Sequence, residues 1–188
     1  MAHVILYIAC SLDSFIARRD GGIEWLSIVD REGEDYGYAD FYASVDAVVM
    51  GRATYELITS FEAWPYPGKK SVVFTRQRLR TVRDDVEFVS GDVAAVVSRL
   101  EGGGARRLWL VGGGELVTAF QRAHLIDEYI VSIIPILLGD GIPLFAPPGA
   151  DAPLELLASR QYDSGLVQLH YRKPMVATGT ARAGLGPS

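Results

Sequence analysis

A glycine turn at the end of an apolar run is the first feature of this sequence that could do chemistry. The run 47–50 stops at Gly51, and the residues that follow, including Arg52 and Thr54, suit the start of a helix. At such a start the first backbone N–H groups are free, the helix dipole favours negative charge, and Arg52 adds a cation. The pattern therefore predicts that Gly51, Arg52 and Thr54 bind phosphate, although glycine also ends strands for purely steric reasons.

Two further segments predict the rest of a nucleotide site. The apolar run 108–111 is followed by three glycines, which let the backbone approach a ligand without a Cβ atom. Thr75 and Arg76 close another apolar run, and no carboxylate follows before Asp84. An adenosine 2′-phosphate needs a cation whereas a free 2′-hydroxyl is usually read by an acidic residue, so this segment favours a dinucleotide that carries a 2′-phosphate. The predicted cofactor residues here are Thr75, Arg76, Gly112, Gly113, Gly114, Glu115 and Leu116.

Composition limits the partners that the chain can have. It has 188 residues and a net charge of −5, which disfavours nucleic acid or an anionic membrane as a partner. A hydrophobic content of 49% with 22% charged residues is typical of a folded protein. The lone Cys10 fits a reducing compartment, and no apolar run reaches the ~20 residues of a membrane span, so we predict a cytoplasmic protein. The histidines are scattered and predict no metal site.

The order of apolar runs predicts an α/β fold. Nearly continuous runs indicate strands buried on both faces, and helical spacing between them indicates crossover helices, which together imply a mostly parallel central sheet. A C-terminal hairpin, with strands 154–162 and 166–172, adds an antiparallel edge. We predict a single domain over residues 1–174 and a flexible tail over 175–188. The predicted buried strands are 4–10, 46–50, 71–74, 108–111 and 129–134, and the predicted helices are 92–100, capped by Asp92, and 115–123.

Five motifs in a fixed order give the chain a family resemblance. It resembles the dihydrofolate reductase superfamily, and most closely the reductase domain of bacterial riboflavin biosynthesis and its stand-alone relatives. The resemblance implies a three-layer dihydrofolate reductase-like fold and NADPH-dependent reduction of a small heterocyclic substrate. Zinc-deaminase signatures are absent from the sequence, so we expect no deaminase domain on this chain. The motifs are residues 9–17 (ACSLDSFIA), 50–56 (MGRATYE), 73–76 (VFTR), 112–116 (GGGEL) and 127–145, and the resemblance spans 4–171.

The resemblance also implies roles for residues outside the glycine turns. The nicotinamide would lie near Ala9, Ile16 and Ala17, and Asp13 in the same segment would border both nicotinamide and substrate. Ser14 stands where relatives usually have glycine. Counting back from Gly51 puts Asp35 at the pterin-binding carboxylate of dihydrofolate reductases, although the acidic run around it also fits a solvated helix start. The predicted catalytic residues are Asp13 and Asp35, and the predicted substrate-binding residues are Trp25 and Pro135.

Several alternatives stay open at this stage. The aromatic residues of segment 25–42 can line a pocket for a flat heterocycle or pack in the core. Dihydrofolate reductase proper and a non-catalytic nucleotide-binding dimer of the same fold are the competing functions. We expect a homodimer, because segment 130–138 is very apolar and Pro135 indicates a sheet edge or a bulge. The physiological substrate, the proton donor and the pathway are not defined by the sequence.

Overall fold

An eight-stranded sheet forms the centre of the computed structural model, which describes residues 1–81, 83–147 and 151–174. The order of strands across this sheet is β5-β4-β3-β6-β1-β7-β10-β9, and β2 pairs with β8 in a separate two-stranded ribbon. The strands are β1 (His3–Ser11), β2 (Phe15–Ala17), β3 (Ala47–Gly51), β4 (Lys70–Phe74), β5 (Val86–Val89), β6 (Arg107–Gly112), β7 (Glu128–Ile134), β8 (Ile142–Pro143), β9 (Glu155–Gln161) and β10 (Val167–Arg172).

The direction of the strands decides where a site can form. Strands β5, β4, β3, β6, β1 and β7 pair in parallel, and β10 and β9 add an antiparallel margin beyond β7. The carboxyl ends of the six parallel strands therefore share one edge of the sheet. In open α/β sheets, ligands bind outside this edge.

Helices cover both faces of the sheet and make three layers. On one face α3 and α4 pack against alternate residues of β1, including Leu6 and Cys10. On the other face α1 and α2 pack against Ile5 and its neighbours. This alternation follows from the two-residue period of a strand, which sends successive side chains to opposite faces. The helices are α1 (Tyr38–Ser44), α2 (Arg52–Ile58), α3 (Val93–Gly102) and α4 (Gly114–Arg122), and a 3-10 helix spans Glu24–Val29.

The predicted fold class is confirmed, and most element bounds agree within one or two residues. The mostly parallel sheet and its C-terminal antiparallel hairpin are both present. The side chain of Asp92 accepts a hydrogen bond from the Ala95 N–H at 2.9 Å, as an N-cap does. The ribbon of β2 and β8 was not predicted, because three- and two-residue strands leave too little periodicity to read.

The expected sheet edge at segment 130–138 is wrong. Strand β7 is an interior strand that pairs with β1 on one side and β10 on the other, and Pro135 lies just beyond its end. The edge of the sheet on this side is β9, whose residues are exposed on both faces except for the half-buried Ala158. The predicted tail, 175–188, lies outside the described residues.

The described residues contain neither a membrane-spanning helix nor a metal-binding cluster. No helix among them is long and apolar enough to cross a membrane. No group of three or more His, Cys, Asp or Glu side chains in that part of the chain is arranged to hold a metal ion.

Candidate functional site

The two predicted glycine turns meet at the carboxyl edge of the parallel strands. A Cβ atom added to Gly113 would lie 3.4 Å from Thr54 Oγ1 and 3.7 Å from the backbone nitrogen of Gly51. Gly113 has φ +94°, and Gly112 before it has φ +146°, so both have backbone conformations that favour glycine. The structure thus brings Gly51, Thr54 and Gly113 together, and neither glycine has a side chain to cover the backbone at this junction.

Arg52 begins α2 beside this junction, and Glu56 holds its side chain. Arg52 Nη1 lies 2.7 Å from each carboxylate oxygen of Glu56, one helical turn further on. The Arg52 side chain is 41% exposed, so this ion pair is accessible to solvent. Exposed pairs of this kind are worth ~0.2–1 kcal/mol, which is small beside a charged contact with phosphate. An incoming anion can therefore compete with Glu56 for the guanidinium.

Thr75 and Arg76 lie just beyond the carboxyl end of β4. The Thr75 N–H donates to the Val89 carbonyl at 2.8 Å, and Thr75 Oγ1 accepts a hydrogen bond from the Gln77 N–H at 3.0 Å. These contacts fix a turn that presents the exposed Arg76. Within the described residues no ion pair engages Arg76, in contrast to Arg52.

The β2–β8 ribbon closes the same edge from the other side. Phe15 pairs with Pro143, and Ala17 pairs with Ile142. A Cβ atom on Gly114 would lie 2.9 Å from the Pro143 carbonyl oxygen, so the ribbon packs directly on the start of α4. The predicted nicotinamide neighbours Ile16 and Ala17 belong to this ribbon, and Ala9 lies near the carboxyl end of β1. At the start of α4, Glu115 is exposed, and the buried Leu116 lies beneath Gly51.

Asp13 ties the loop after β1 to the segment after β7. Its carboxylate accepts hydrogen bonds from Ser11 Oγ at 2.6 Å, from the Gly139 N–H at 2.7 Å and from the Leu138 N–H at 3.1 Å. The hydrogen bond from Ser11, followed by those from the two backbone amides, lowers the pKa of Asp13. The carboxylate therefore stays ionised at neutral pH, and its contacts position a loop. Ser14 in this loop has φ +67°, the left-handed region in which glycine is the usual residue.

The placement of Asp35 on a helix is wrong. Asp35 precedes α1, is exposed, and accepts hydrogen bonds from the N–H groups of Ala39 at 3.0 Å and Gly37 at 2.9 Å. These bonds, with that from Ala39 the largest, lower its pKa. Asp35 thus accepts from free N–H groups at the start of a helix. This agrees with the alternative interpretation of the acidic run, in which it is a solvated helix start. The ungapped count places Asp35 on a helix, but α1 begins only at Tyr38, three residues later.

Trp25 and Pro135 have different surroundings. Trp25 is 3% exposed and packs in a cluster with Val29 and Ile134, beside Ala9. Its Nε1 atom is buried and has no hydrogen-bond partner among the described residues, which is an unusual state for an indole donor. Pro135 is exposed, and a Cβ atom on Gly165 would lie 3.2 Å from its ring, so it lies near the β9–β10 turn.

The sequence did not identify a cavity under β1. The cavity has a volume of about 230 Å³ and lies between α1 and the strands β1, β7, β10 and β9, with Tyr7 and Gln168 in its lining. A larger open depression of about 600 Å³ lies at the opposite edge, where β4 and β5 begin. Lys70 and Glu87 in its lining pair with each other, so the smaller cavity is the better candidate for a ligand site. Only the pairing of strands brings Tyr7 beside Gln168, which explains why spacing along the chain gave no signal.

Comparison with known proteins gives the family. The RibD C-terminal domain family matches residues 2–168, so the chain belongs to that family. It is similar to the uncharacterized protein YwjB of Bacillus subtilis (strain 168), with 41% identity over 168 residues, covering 89% of this chain and 95% of that protein. It is also similar to the riboflavin biosynthesis protein RibD of Corynebacterium ammoniagenes, with 28% identity over 160 residues, 78% of this chain. The matched part is 47% of the RibD chain, about half of its length.

Solved structures agree with this assignment. A Shewanella sp. PV-4 protein assigned to riboflavin biosynthesis superposes with a TM-score of 0.85 and 32% identity, covering 93% of this chain and all of that one. A Thermotoga maritima deaminase/reductase, named for 5-amino-6-(5-phosphoribosylamino)uracil, superposes with a TM-score of 0.71 and 16% identity, covering 92% of this chain and 57% of that one. The second likeness concerns the fold alone. The predicted resemblance to the riboflavin-pathway reductase domain is confirmed.

Proposed function

We propose that the protein is an NADPH-dependent reductase of a small, pyrimidine-like heterocycle. The observation that carries this proposal is the meeting of the two glycine turns, where Gly113 adjoins Gly51 and Thr54. A dinucleotide needs close approach of backbone to its phosphates, and a Cβ atom at Gly113 would fill the space that such an approach uses. Membership of the RibD C-terminal domain family supports the same class of reaction.

The residues at this edge fit the parts of NADPH. Gly51, Arg52 and Thr54 would hold the pyrophosphate, with the glycines before α4 on the other side of it. Thr75 and Arg76 would hold the 2′-phosphate, since Arg76 is exposed and the described residues give it no ion pair. When bound, the cofactor supplies the hydride, and the protein contributes orientation and electrostatics.

The chain's own residues position the reaction and exclude water. Asp13 fixes the loop after β1 against Leu138 and Gly139. Ala9 and Ile16 would form apolar walls near the reacting ring. Neither Asp13 nor Asp35 is suited to donate a proton at neutral pH, because hydrogen bonds lower the pKa of both. The proton would then come from a bound water or from a group on the substrate.

The substrate class comes from the relatives. The Thermotoga protein is named for a phosphoribosylamino-substituted uracil, and the Corynebacterium relative is named for riboflavin biosynthesis. A cytoplasmic location and a homodimer belong to the same proposal. The location rests on the sequence, and the dimer rests on the exposed edge strand β9.

The direct test is to follow NADPH absorbance with 5-amino-6-(5-phosphoribosylamino)uracil as substrate. Oxidation of NADPH that depends on this compound would support the reductase. Binding of NADPH without oxidation by this or related pyrimidines would favour the non-catalytic nucleotide-binding alternative. If NADPH does not bind, neither function holds. Oxidation with dihydrofolate alone would favour dihydrofolate reductase, which the exposed, helix-capping Asp35 argues against.

A further inference from the structure

The segment between the 3-10 helix and α1 forms part of the wall of the cavity of about 230 Å³. We call residues 30–37 the acidic segment, because they include four carboxylates and one arginine. All of these residues are exposed except Tyr36 and Gly37, which are half-buried and line the cavity. The acidic segment therefore separates this part of the cavity from solvent.

The carboxyl end of the acidic segment is attached to α1. The carboxylate of Asp35 accepts from the Gly37 N–H at 2.9 Å and from the Ala39 N–H at 3.0 Å. The Asp35 carbonyl accepts from the Tyr38 N–H at 2.9 Å, at the first residue of the helix. Gly37 has φ +80°, a conformation in which glycine is the usual residue, so a sharp turn joins the segment to the helix.

Tyr36 attaches the same segment to the opposite side of the cavity. Its carbonyl accepts from Gln168 Nε2, on β10, at 3.3 Å. Its ring meets the ring of Tyr162, just beyond β9, edge-on, with centroids 4.9 Å apart and planes at 75°. Its hydroxyl donates to the Val29 carbonyl, which closes the loop on itself. The acidic segment thus reaches from α1 to the β9–β10 hairpin, and Tyr36 makes the far attachment.

The rest of the acidic segment is bonded locally. Arg31 donates to the Asp30 carbonyl at 2.7 Å, and the Glu34 carboxylate accepts from the Tyr36 N–H at 2.7 Å. Four carboxylates lie within the six residues 30–35. Like charges at this spacing repel one another, which works against a compact arrangement of the segment.

The backbone of Tyr36 also opposes the closed arrangement. Its φ of +57° is in the left-handed region, which is uncommon for a residue with a bulky side chain. Such a conformation persists only where the surrounding contacts over-determine it. Detachment of Tyr36 would relieve both this strain and the charge repulsion. The acidic segment should therefore open at a lower free energy than the sheet unfolds.

We infer that the acidic segment is a lid on the cavity, hinged at the start of α1 and latched by Tyr36 against the β9–β10 hairpin. When the lid opens, Tyr36 leaves Gln168 and Tyr162 while the sheet stays folded, and the cavity becomes accessible. A closed lid excludes water from whatever the cavity holds, and its opening limits entry and release. The lid does not depend on NADPH, so it can be tested apart from the proposed reductase.

The first test is native-state proteolysis with a glutamate-specific protease, which can cut after Glu32 and Glu34 when the lid is detached. Tyr36→Phe keeps the ring and removes the hydroxyl, and Tyr162→Leu removes the aromatic partner. Each change should raise the rate of cleavage at these two positions about 3- to 10-fold, the range for one hydrogen bond or one ring contact. Fragment masses identify the positions, and denaturant unfolding gives the global stability of each variant.

The second test measures access to the cavity by thiol labelling. Ala158→Cys places a thiol in the cavity wall, on the β9 side. Cys10 gives a low background, because it is buried and burial raises the pKa of its thiol to about 11. Labelling of Ala158→Cys with pyrene maleimide should become about 3- to 10-fold faster when Tyr36→Phe is added. Phenylalanine keeps the ring in the wall, so the gain would come from opening of the lid.

Tyr42→Phe is the matched control. The Tyr42 hydroxyl also donates to a backbone carbonyl, that of Pro67 at 2.8 Å, but Tyr42 lies in α1 outside the lid. This change should leave the rates of cleavage and of labelling at their wild-type values. If Tyr162→Leu does not fold, Tyr36→Phe alone decides the question.

Three results would overturn the inference. Unchanged cleavage after Glu32 and Glu34 in the folded latch variants would show that Tyr36 does not hold the segment. Faster cleavage with unchanged labelling of Ala158→Cys would show that the segment does not close the cavity. Equal gains in Tyr42→Phe and Tyr36→Phe would show a general loss of stability in place of a latch.

Discussion

Glu56 holds Arg52 through two contacts of 2.7 Å, at the place where the pyrophosphate of NADPH is proposed to lie. Without a ligand, the Glu56 carboxylate in the same helix partly neutralises the charge of the Arg52 guanidinium. Phosphate and Glu56 therefore compete for Arg52. The Glu56 carboxylate therefore weakens the proposed phosphate site, and a substitution of Glu56 removes this competition without changing any residue that would contact the ligand.

Glu56→Gln should strengthen NADPH binding. An exposed ion pair is worth ~0.2–1 kcal/mol, so its loss should lower the Kd for NADPH roughly 1.5- to 5-fold. Fluorescence titration measures the change, and Glu62→Gln, which alters an exposed glutamate beyond α2, serves as the control.

Arg52→Ala should weaken the binding of NADPH and NADH alike, since both carry the pyrophosphate. A Kd that is unchanged in Arg52→Ala would remove Arg52 from the site.

Arg76→Ala should separate the two cofactors. The 2′-phosphate is present only in NADPH, so this change should cost about 1.5–3 kcal/mol in NADPH affinity and leave NADH nearly unchanged. Parallel titrations of the same variant with both nucleotides provide the control. Equal losses for the two nucleotides would contradict the assignment of Arg76 to the 2′-phosphate.

Asp13→Asn should make the protein less stable at neutral pH. The folded-state pKa of Asp13 lies below its ordinary value of 3.8, so the ionised carboxylate stabilises the fold at every pH above that value. This contribution declines as the pH falls below 3.8 and disappears below the lowered pKa. The Tm of Asp13→Asn should therefore lie below that of wild type at pH 7, and the two should converge in acid. A difference in Tm that does not depend on pH would show that Asp13 does not act through its charge.

The protein should be a poor dihydrofolate reductase. A pterin-binding carboxylate has to be buried, whereas Asp35 is exposed and its oxygens accept from Gly37 and Ala39. Steady-state assay with dihydrofolate should give kcat/KM far below the ~10⁴–10⁸ M⁻¹s⁻¹ that enzymes reach with their own substrates. A value within that range that is lost in Asp35→Asn would restore the folate interpretation.

The protein should form a homodimer through β9 rather than through segment 130–138. Strand β9 is an edge with unpaired backbone groups, and it exposes Leu156 and Leu157. Antiparallel pairing of β9 with its copy about a two-fold axis between Leu157 and Ala158 would also bring Glu155 opposite the partner subunit's Arg160. Light scattering at micromolar concentration should give twice the monomer mass, and Leu157→Lys should reduce it. A monomeric mass for wild type would contradict the dimer.

The sequence predicted the sheet and the glycine junction because both depend on local patterns. The strands β3 and β6 each contain a run of apolar residues, and a glycine turn directly follows each run, so Gly51 and Gly113 reach the same edge. Asp35 and Pro135 failed for a different reason. The assignment of Asp35 depended on where the helix α1 begins, and that of Pro135 depended on which strands lie beside β7. Neither is fixed by residues nearby in the chain. Tyr7 on β1 and Gln168 on β10 are brought together because both strands pair with β7. The pattern of residues within one strand does not predict which strands will pair.

The central claim is that NADPH binds where Gly113 adjoins Gly51, and the most direct measurement compares two glycine variants. Gly113 and Gly104 have φ of +94° and +99°, so alanine is strained at both positions. An added Cβ atom meets Thr54 and Gly51 at the first position and has nothing within 4 Å at the second. NADPH affinity should fall at least about tenfold in Gly113→Ala and stay at the wild-type value in Gly104→Ala, with both variants folded. Wild-type NADPH affinity in a folded Gly113→Ala protein would contradict the site.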